Sequence, residues 1–301
     1  MRRATAEDIR KIIFEKIPLE SITTAHNTEG HFYQRPGLEK PYPSVNGKIN
    51  IIKEKGLMDW KMNKALDYIF QNINIITPEN QMEIRDNAEM ASVVELEEAG
   101  DIGTEIHNYR ETIFKDWIRL GYRPKDFISY IPKDEEDIRS VSAIGALEKF
   151  CKDYFYQPIV TEQYVYDDTL QLGGTLDDVG FIYLPVRPGT HGCDHDIIGD
   201  SCIKCELKLK RYLALIDLKT SNYFKNTYWI QVALYYHMFC RLTGLKLPIQ
   251  MILKLDKYNR TYKIERLKEI GNLVKISKDI LKVSDGMELV TRLREKEFIT
   301  I

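Results

Sequence analysis

The residue pattern changes near the middle of the chain, and this change limits the folds that are open to it. Up to residue 155, apolar residues recur mainly at helical spacing. From residue 159, short segments rich in β-branched and aromatic residues alternate with turns, and helical spacing returns at residue 227. This order predicts an α/β protein with a central mixed β-sheet flanked by helices and a helical N-terminal half.

The same patterns predict the individual elements. Helices are expected over residues 8–17, 57–70, 78–99, 102–120, 135–155, 227–242, 267–283 and 287–296. Strands are expected over residues 159–166, 170–183, 212–218, 247–255 and 262–266. We divide the chain into an N-terminal helical region packed on the core (1–100), the core itself (101–301) and an inserted loop (184–210).

Composition narrows the class of protein. The chain has 301 residues, is 44% hydrophobic and carries a formal net charge of -2, so a nucleic-acid partner would need a local basic surface. No apolar run reaches the roughly 18 residues that span a membrane, and the N-terminus lacks the apolar stretch of a secretory signal. Five cysteines are an odd number, which argues against a disulfide framework. A cytoplasmic protein is therefore predicted.

The segment LALIDLKTS ends in a charged pair on a predicted core strand. Asp217 and Lys219 are two residues apart and so point to the same face of that strand, as do Leu213 and Leu215. Charges at this position are costly unless they serve a purpose. A carboxylate can hold a hard cation, and an ammonium group can orient a water or stabilise charge on a phosphate.

The segment GGTLDDVGFIY offers a second carboxylate. Gly173 and Gly174 interrupt a strand, which indicates a bend or a close approach of another backbone, and Asp177 follows. If this strand is a neighbour of the Asp217 strand, the two carboxylates could form a Mg²⁺ site. The alternative is that Asp177 and Asp178 only form a turn.

Two helices carry further polar candidates. Gln231 and Tyr235 are four residues apart, so they lie on one face of the helix that follows the Asp217 strand. The alternative is a tyrosine at the core edge and a surface glutamine. His107 lies in the predicted helix over 102–120, where a single histidine is more often structural than a metal ligand.

In this order, the segments resemble the RecB-like branch of the PD-(D/E)XK nuclease superfamily. That branch has a Gly-Thr-x-x-His helix, a Gly-x-x-Asp strand, an Asp-x-Lys strand and a Gln-x-x-x-Tyr helix. The four motifs read here as Gly103-Thr104-Glu105-Ile106-His107, Gly174-Thr175-Leu176-Asp177, Asp217-Leu218-Lys219 and Gln231 through Tyr235. The upstream YPSVNG and LMDW segments also look like the opening of these enzymes, and the resemblance spans residues 42–255.

The resemblance implies a restriction-endonuclease-like core and a metal-dependent DNA nuclease. The implied ligands of Mg²⁺ or Mn²⁺ are His107, Asp177, Asp217 and the backbone carbonyl of Leu218. Lys219 would position the attacking water or neutralise charge, Gln231 and Tyr235 would hold Lys219 or contact the substrate, and Glu162 is a candidate extra acid. An exonuclease acting in DNA repair, recombination or phage DNA processing is implied, with a helicase, a recombinase or another phage protein as a partner.

The chain departs from the family between Asp177 and Asp217, where a short hairpin is usual and forty residues stand here. The excess contains a C-x-x-C pair, and the predicted Zn²⁺ ligands are Cys193, His195, Cys202 and Cys205, with His191 as an equal alternative to His195. A loosely folded loop with free thiols is the other interpretation. The neighbouring residues Lys204, Lys208, Lys210 and Arg211 could meet phosphates.

Other functions remain open at this point. A catalytically weak relative could bind nucleic acid or partners within a larger assembly, although an intact set of Asp177, Asp217 and Lys219 argues against it. A zinc-stabilised interaction protein would make the motifs coincidental. A restriction-type endonuclease would use the same chemistry on internal sites.

Overall fold

The computed structural model describes residues 4–17, 23–27, 30–50, 52, 57–133, 137–185, 197–198, 201–202, 209–221 and 223–297. Its helices are α1 (Ala6–Lys16), α2 (Val45–Ile49), α3 (Leu57–Asn72), α4 (Gln81–Leu120), α5 (Ile138–Asp153), α6 (Asn226–Thr243) and α7 (Ile270–Glu297). Its strands are β1 (Thr23–Asn27), β2 (Gly30–Gln34), β3 (Tyr42–Pro43), β4 (Gln157–Asp167), β5 (Leu172–Pro185), β6 (Ile197–Ile198), β7 (Ser201–Cys202), β8 (Leu209–Lys219), β9 (Ile249–Leu255) and β10 (Tyr262–Arg266).

Five strands form the central sheet, in the order β10-β9-β8-β5-β4. The pairs β4–β5, β5–β8 and β9–β10 are antiparallel, whereas β8 and β9 run parallel and are joined through α6. Parallel neighbours need such a crossover connection, because a tight turn cannot join them. The sheet is therefore mixed, as the sequence predicts.

Helices cover both faces of this sheet. Buried side chains of α4 and α5 pack on one face, around Phe114, Leu147 and Phe150. Side chains of α1, α2 and α6 pack on the other face, around Ile13, Val45 and Phe239. The predicted α/β class with a mostly helical N-terminal half is confirmed.

Glycines explain the largest difference from the predicted elements. Residues 78–99 and 102–120 were expected as two helices, but α4 is one helix of 40 residues, and α7 likewise joins the two predicted terminal helices. Gly121 and Gly244 end α4 and α6 because they adopt the left-handed conformation, with φ of +79° and +71°. No positive φ occurs at Gly100, Gly103 or Gly286, so these glycines weaken the helices without ending them.

Two predictions about the wider chain can be placed only in part. The loop predicted at 184–210 is described only at its two ends and at the short hairpin of β6 and β7, so its predicted zinc ligands lie outside the described side chains. Within the described residues, no helix has both the length and the apolar character needed to cross a membrane.

Candidate metal centre

Helix α4 carries His107 towards the end of the central sheet. The preceding glycine allows this approach, because a Cβ atom on Gly103 would lie 3.1 Å from the hydroxyl oxygen of Thr220, just beyond the end of β8. The Nδ1 atom of His107 then lies 3.8 Å from an Oδ1 oxygen of Asp177. The Gly-Thr-x-x-His motif therefore has a physical reason for its glycine, which lets the helix pack closely against the sheet.

Glu162 and Asp177 occupy opposite positions on β4 and β5. The neighbouring pairs are Thr161 with Asp178 and Gln163 with Leu176, so the two acids stand between them. Glu162 has a φ of +49°, in the left-handed region that residues other than glycine rarely adopt, and strained backbone of this kind clusters at functional sites. This local distortion of β4 lies beside the acid that β5 supplies.

Three side chains converge at this point. One ligand atom each from His107, Glu162 and Asp177 lies within 4.8 Å of the other two. An imidazole nitrogen and carboxylate oxygens form a donor set that suits divalent cations such as Mn²⁺ or Mg²⁺. The His/Glu/Asp cluster could therefore hold a metal ion.

Strand β8 brings the Asp217–Lys219 pair beside this cluster. The Nζ atom of Lys219 lies 2.7 Å from Oδ2 of Asp217, and the side chain of Asp217 is only 1% exposed. The backbone N–H of Leu218 donates to Oδ2 of Asp177 at 2.6 Å, which joins the end of β8 to the second carboxylate. The Oδ1 atom of Asp217 is buried and has no hydrogen-bond partner among the described residues. An unsatisfied buried carboxylate oxygen is what a metal ligand would leave in a metal-free structure.

Arg110 is a central part of the site that the sequence patterns did not single out. Its side chain is fully buried, donates to Asp178 at 2.7 Å and forms an ion pair with Glu162. It lies three residues after His107, so both side chains leave the same face of α4. That spacing is the signal that the sequence offers for Arg110. It is a weak one, because an arginine on a helix is usually exposed.

The predicted pair on α6 is also assembled. Nε2 of Gln231 donates to the hydroxyl of Tyr235 at 3.1 Å, and both residues are buried. A Cβ atom at Gly174 would overlap the Tyr235 ring, while one at Gly173 would lie 2.8 Å from Tyr33. The two glycines of β5 thus permit aromatic rings to lie directly against the strand, whereas the sequence indicated a bend or a close approach of another backbone.

Burial is the largest influence on the pKa values of the buried acids, although nearby charges outweigh it at Asp177. Burial raises the pKa of Glu162 to about 8, although the charge of Arg110 opposes it. Burial likewise raises the pKa of Asp217 to about 7, although the charge of Lys219 opposes it. Burial acts in the same direction on Asp177, but the charges of His107, Arg110 and Lys219 outweigh it and lower the pKa. Asp177 is therefore the carboxylate that stays ionised most readily.

The basic groups of the site respond in opposite ways. Burial lowers the pKa of His107 to about 4, although Asp177 acts against this. Burial would also lower the pKa of Lys219, but Asp217 and Asp177 outweigh it and raise the pKa. At neutral pH, the site therefore combines a neutral imidazole, which can bind a metal, with a positively charged ammonium group.

Two comparisons with known proteins were informative only in finding no relative. A scan against protein-family models finds no match, and a search of curated proteins finds none either. The interpretation of this site consequently depends on its residues and their geometry.

Proposed function

We propose that the protein is a divalent-metal-dependent DNA nuclease with a PD-(D/E)XK, RecB-like core. The observation that carries the proposal is the convergence of His107, Glu162 and Asp177 beside the Asp217–Lys219 pair. These residues come from one helix and three strands, at sequence positions that run from 107 to 219. Four motifs that resemble one enzyme family thus meet at one end of one sheet.

The residues present fit the implied Mg²⁺ or Mn²⁺. The cluster of His107, Glu162 and Asp177 would supply three ligands. Asp217 and the Leu218 carbonyl, which the resemblance adds, would come from the adjoining end of β8. The neutral state of His107 and the unsatisfied oxygen of Asp217 both suit a bound cation. When bound, such a cation lowers the pKa of a water and neutralises charge on a phosphate.

Lys219 is the residue best placed to act on the reacting groups. Its ammonium is held between the carboxylate of Asp217 at 2.7 Å and the ring of Tyr228, whose centroid lies 5.0 Å away. A charged amine fixed in this way can donate hydrogen bonds to a water or to a phosphate oxygen. Its raised pKa keeps it protonated throughout the neutral range.

Gln231 and Tyr235 complete the wall of the site on the α6 side. Their mutual hydrogen bond and the contact of Tyr235 with Gly174 fix the position of the strand segment that carries Asp177. We assign them a positioning role. An exonuclease acting in repair, recombination or phage DNA processing follows from the resemblance alone.

One observation favours the second candidate, a weakly catalytic relative within a larger assembly. Helix α3 exposes several large apolar side chains, which are common at protein interfaces. They are Met58, Met62, Leu66 and Phe70. A partner protein could cover this surface whether or not the site is active.

The test is digestion of end-labelled single- and double-stranded DNA with Mg²⁺ or Mn²⁺ by wild type and by Lys219→Ala. We expect cutting that needs the metal and that falls by about 10²–10³-fold in the variant, since a fixed donor to developing charge is lost. Lys61→Ala is the matched control, because Lys61 also follows an aspartate by two residues but lies exposed on α3. No cutting by folded wild type with either metal would contradict the enzyme and favour the second candidate.

A further inference from the structure

A row of lysines extends from the candidate site across the central sheet. In the strand register, Lys219 of β8 lies directly beside Lys254 of β9, and Lys254 lies directly opposite Lys263 of β10. Two strand spacings separate the ends of this row, which is about 10 Å. Like charges at directly opposed positions repel each other, so an arrangement of this kind is unfavourable by itself.

All three lysines project from the same face of the sheet. Leu215 and Ile252, on the same face of β8 and β9 as Lys219 and Lys254, belong to the core beneath α6. On β10, Glu265 accepts a hydrogen bond from Trp229 of α6 at 3.1 Å, and Lys263 stands two residues earlier on that face. The three lysines therefore lie side by side on the α6 face of the sheet.

Nearby carboxylates are engaged in local structure. Asp256 accepts hydrogen bonds from the backbone N–H groups of Tyr258 and Asn259 and so fixes the turn between β9 and β10. Glu265 is bonded to Trp229. Burial, followed by the charge of Lys263, lowers the pKa of Lys254 despite Asp256. The positive charge of Lys263 therefore acts on Lys254 although these acids lie nearby.

Aromatic side chains accompany the lysines. The Nζ atom of Lys254 lies 5.6 Å from the centroid of the Phe224 ring, and that of Lys225 lies 5.8 Å from the Tyr228 ring. Tyr223, in the same connection between β8 and α6, is 77% exposed. Its backbone carbonyl accepts a hydrogen bond from the hydroxyl of Ser221, and that hydroxyl accepts one from Tyr228. These bonds tie the backbone at Tyr223 to the first turn of α6.

We infer that Lys254, Lys263 and Tyr223 form a binding track for a single strand of nucleic acid that leads to Lys219. The lysines would contact successive phosphates, and a base would stack on the exposed Tyr223 ring. This inference rests on the proposed function and extends it, because it names the form of the substrate and the side from which the substrate reaches the metal centre.

The test measures binding without cutting. A fluorescent single-stranded oligodeoxynucleotide is titrated with protein in EDTA, by anisotropy, at several salt concentrations. Each phosphate contact on a single strand contributes a salt slope of about -0.7, which corresponds to about fivefold in affinity at 0.1 M salt. Lys254→Gln/Lys263→Gln should therefore bind about 25-fold more weakly, with a slope reduced by about 1.4. Lys254→Arg/Lys263→Arg should restore both values.

A matched control carries the same change of charge on the other face of the sheet. Lys149→Gln/Lys152→Gln alters two half-exposed lysines of α5 and should bind as wild type does. Tyr223→Ala should weaken single-strand binding about tenfold and duplex binding less. Lys263→Gln alone serves as a second test if the double variant is unstable, because Lys263 is exposed. It should lower the affinity for the single strand about fivefold.

The outcomes separate this inference from the proposed function. Metal-dependent cutting together with unchanged binding by the Lys254/Lys263 variants would overturn the track and leave the nuclease standing. Lysine-dependent binding without cutting would support the track and contradict the nuclease. Equal losses in the α5 control, or no binding by wild type, would overturn the track, and unchanged binding by Tyr223→Ala would overturn the single-strand assignment.

Discussion

The β4–β5 hairpin buries aspartate at two places, beside its turn and in its middle, and the two clusters differ in how fully the charge is satisfied. At the turn end, Asp167 is completely buried, accepts hydrogen bonds from the backbone N–H groups of Thr169 and Leu170, and forms an ion pair with Arg241 at 2.8 Å. His237 lies 3.3 Å away. Burial raises the pKa of Asp167, but these bonds outweigh it and lower the pKa.

In the middle of the hairpin and on the neighbouring strand β8, the buried acids have cationic partners but are bonded less completely. Oδ1 of Asp178 and Oδ1 of Asp217 have no hydrogen-bond partner among the described residues, and burial raises the pKa of Asp178 to about 6 and that of Asp217 to about 7. The strained backbone at Glu162 further destabilises this part of the fold. Buried acids with raised pKa values and unmatched oxygens are typical of functional sites, whereas fully bonded ones stabilise the fold.

The largest expected difference between the clusters lies in catalysis. Asp177→Asn should lower metal-dependent cutting by at least about 10²-fold, because the carboxylate that stays ionised at neutral pH is removed from the metal ligands. Asp167→Asn should leave the cutting rate per folded molecule unchanged and lower the free energy of unfolding by about 1–3 kcal/mol, because the negative charge that bonds to the turn N–H groups and to the half-exposed Arg241 is removed. Rates are measured by single-turnover digestion, and stability by urea denaturation.

The contrast would fail if both substitutions lowered the cutting rate by the same factor at equal folded fractions. That result would mean that Asp177 is as structural as Asp167. A normal rate in Asp177→Asn would remove this residue from the proposed ligands altogether.

A smaller effect is expected from the buried arginine of the site. Arg110→Met should weaken Mn²⁺ binding about 10–100-fold, because Arg110 contacts Glu162 and Asp178 and so positions a member of the cluster. It should also destabilise the fold, since two buried acids lose their partner. Arg241→Met at the turn of the hairpin should lower stability without changing Mn²⁺ affinity, which calorimetric titration measures.

A double variant separates the positioning role of Arg110 from its structural one. In Arg110→Met/Asp178→Asn, one of the two uncompensated charges is absent, so part of the lost stability should return. Mn²⁺ affinity should stay weak, because Glu162 still lacks the group that holds it. Full recovery of Mn²⁺ affinity along with stability would show that Arg110 acts on the fold alone.

The contrast also explains what the sequence could predict. Periodicity located most of the helices and strands because each pattern is local. The two helix breaks that were expected but do not occur lie at Gly100 and Gly286, where the surrounding fold keeps the glycine helical. Asp177, Asp217 and Lys219 were found because their spacing on strands is regular. Arg110 was missed because its importance comes from burial against residues that lie 52 and 68 positions away, which no local pattern encodes.

Acidity of the site gives the smallest and most specific prediction. Glu162 and Asp217 have pKa values raised to about 8 and about 7, so between pH 6.5 and 8 the folded state without metal binds more protons than the unfolded chain. Its stability must therefore fall as the pH rises through this range. His107, with its pKa lowered to about 4, is neutral in the folded state there. Its opposing effect is largest near and below its ordinary pKa of 6.5, where acidification charges it in the unfolded chain and so destabilises the fold.

Metal should reverse this trend, because it binds the deprotonated carboxylates. In EDTA, we expect the melting temperature of wild type to fall by about 2–4 °C from pH 6.5 to pH 8, and Mn²⁺ to raise it more at pH 8 than at pH 6.5. Glu162→Gln should flatten the slope in EDTA, since it removes a group that titrates in this range. A variant at the turn, Asp167→Asn, should keep the wild-type slope, because the lowered pKa of Asp167 places its titration below this range. An equal slope in Glu162→Gln and wild type would mean that the acids of the metal centre are already ionised in the folded protein, and the contrast between the two clusters would then lie in geometry alone.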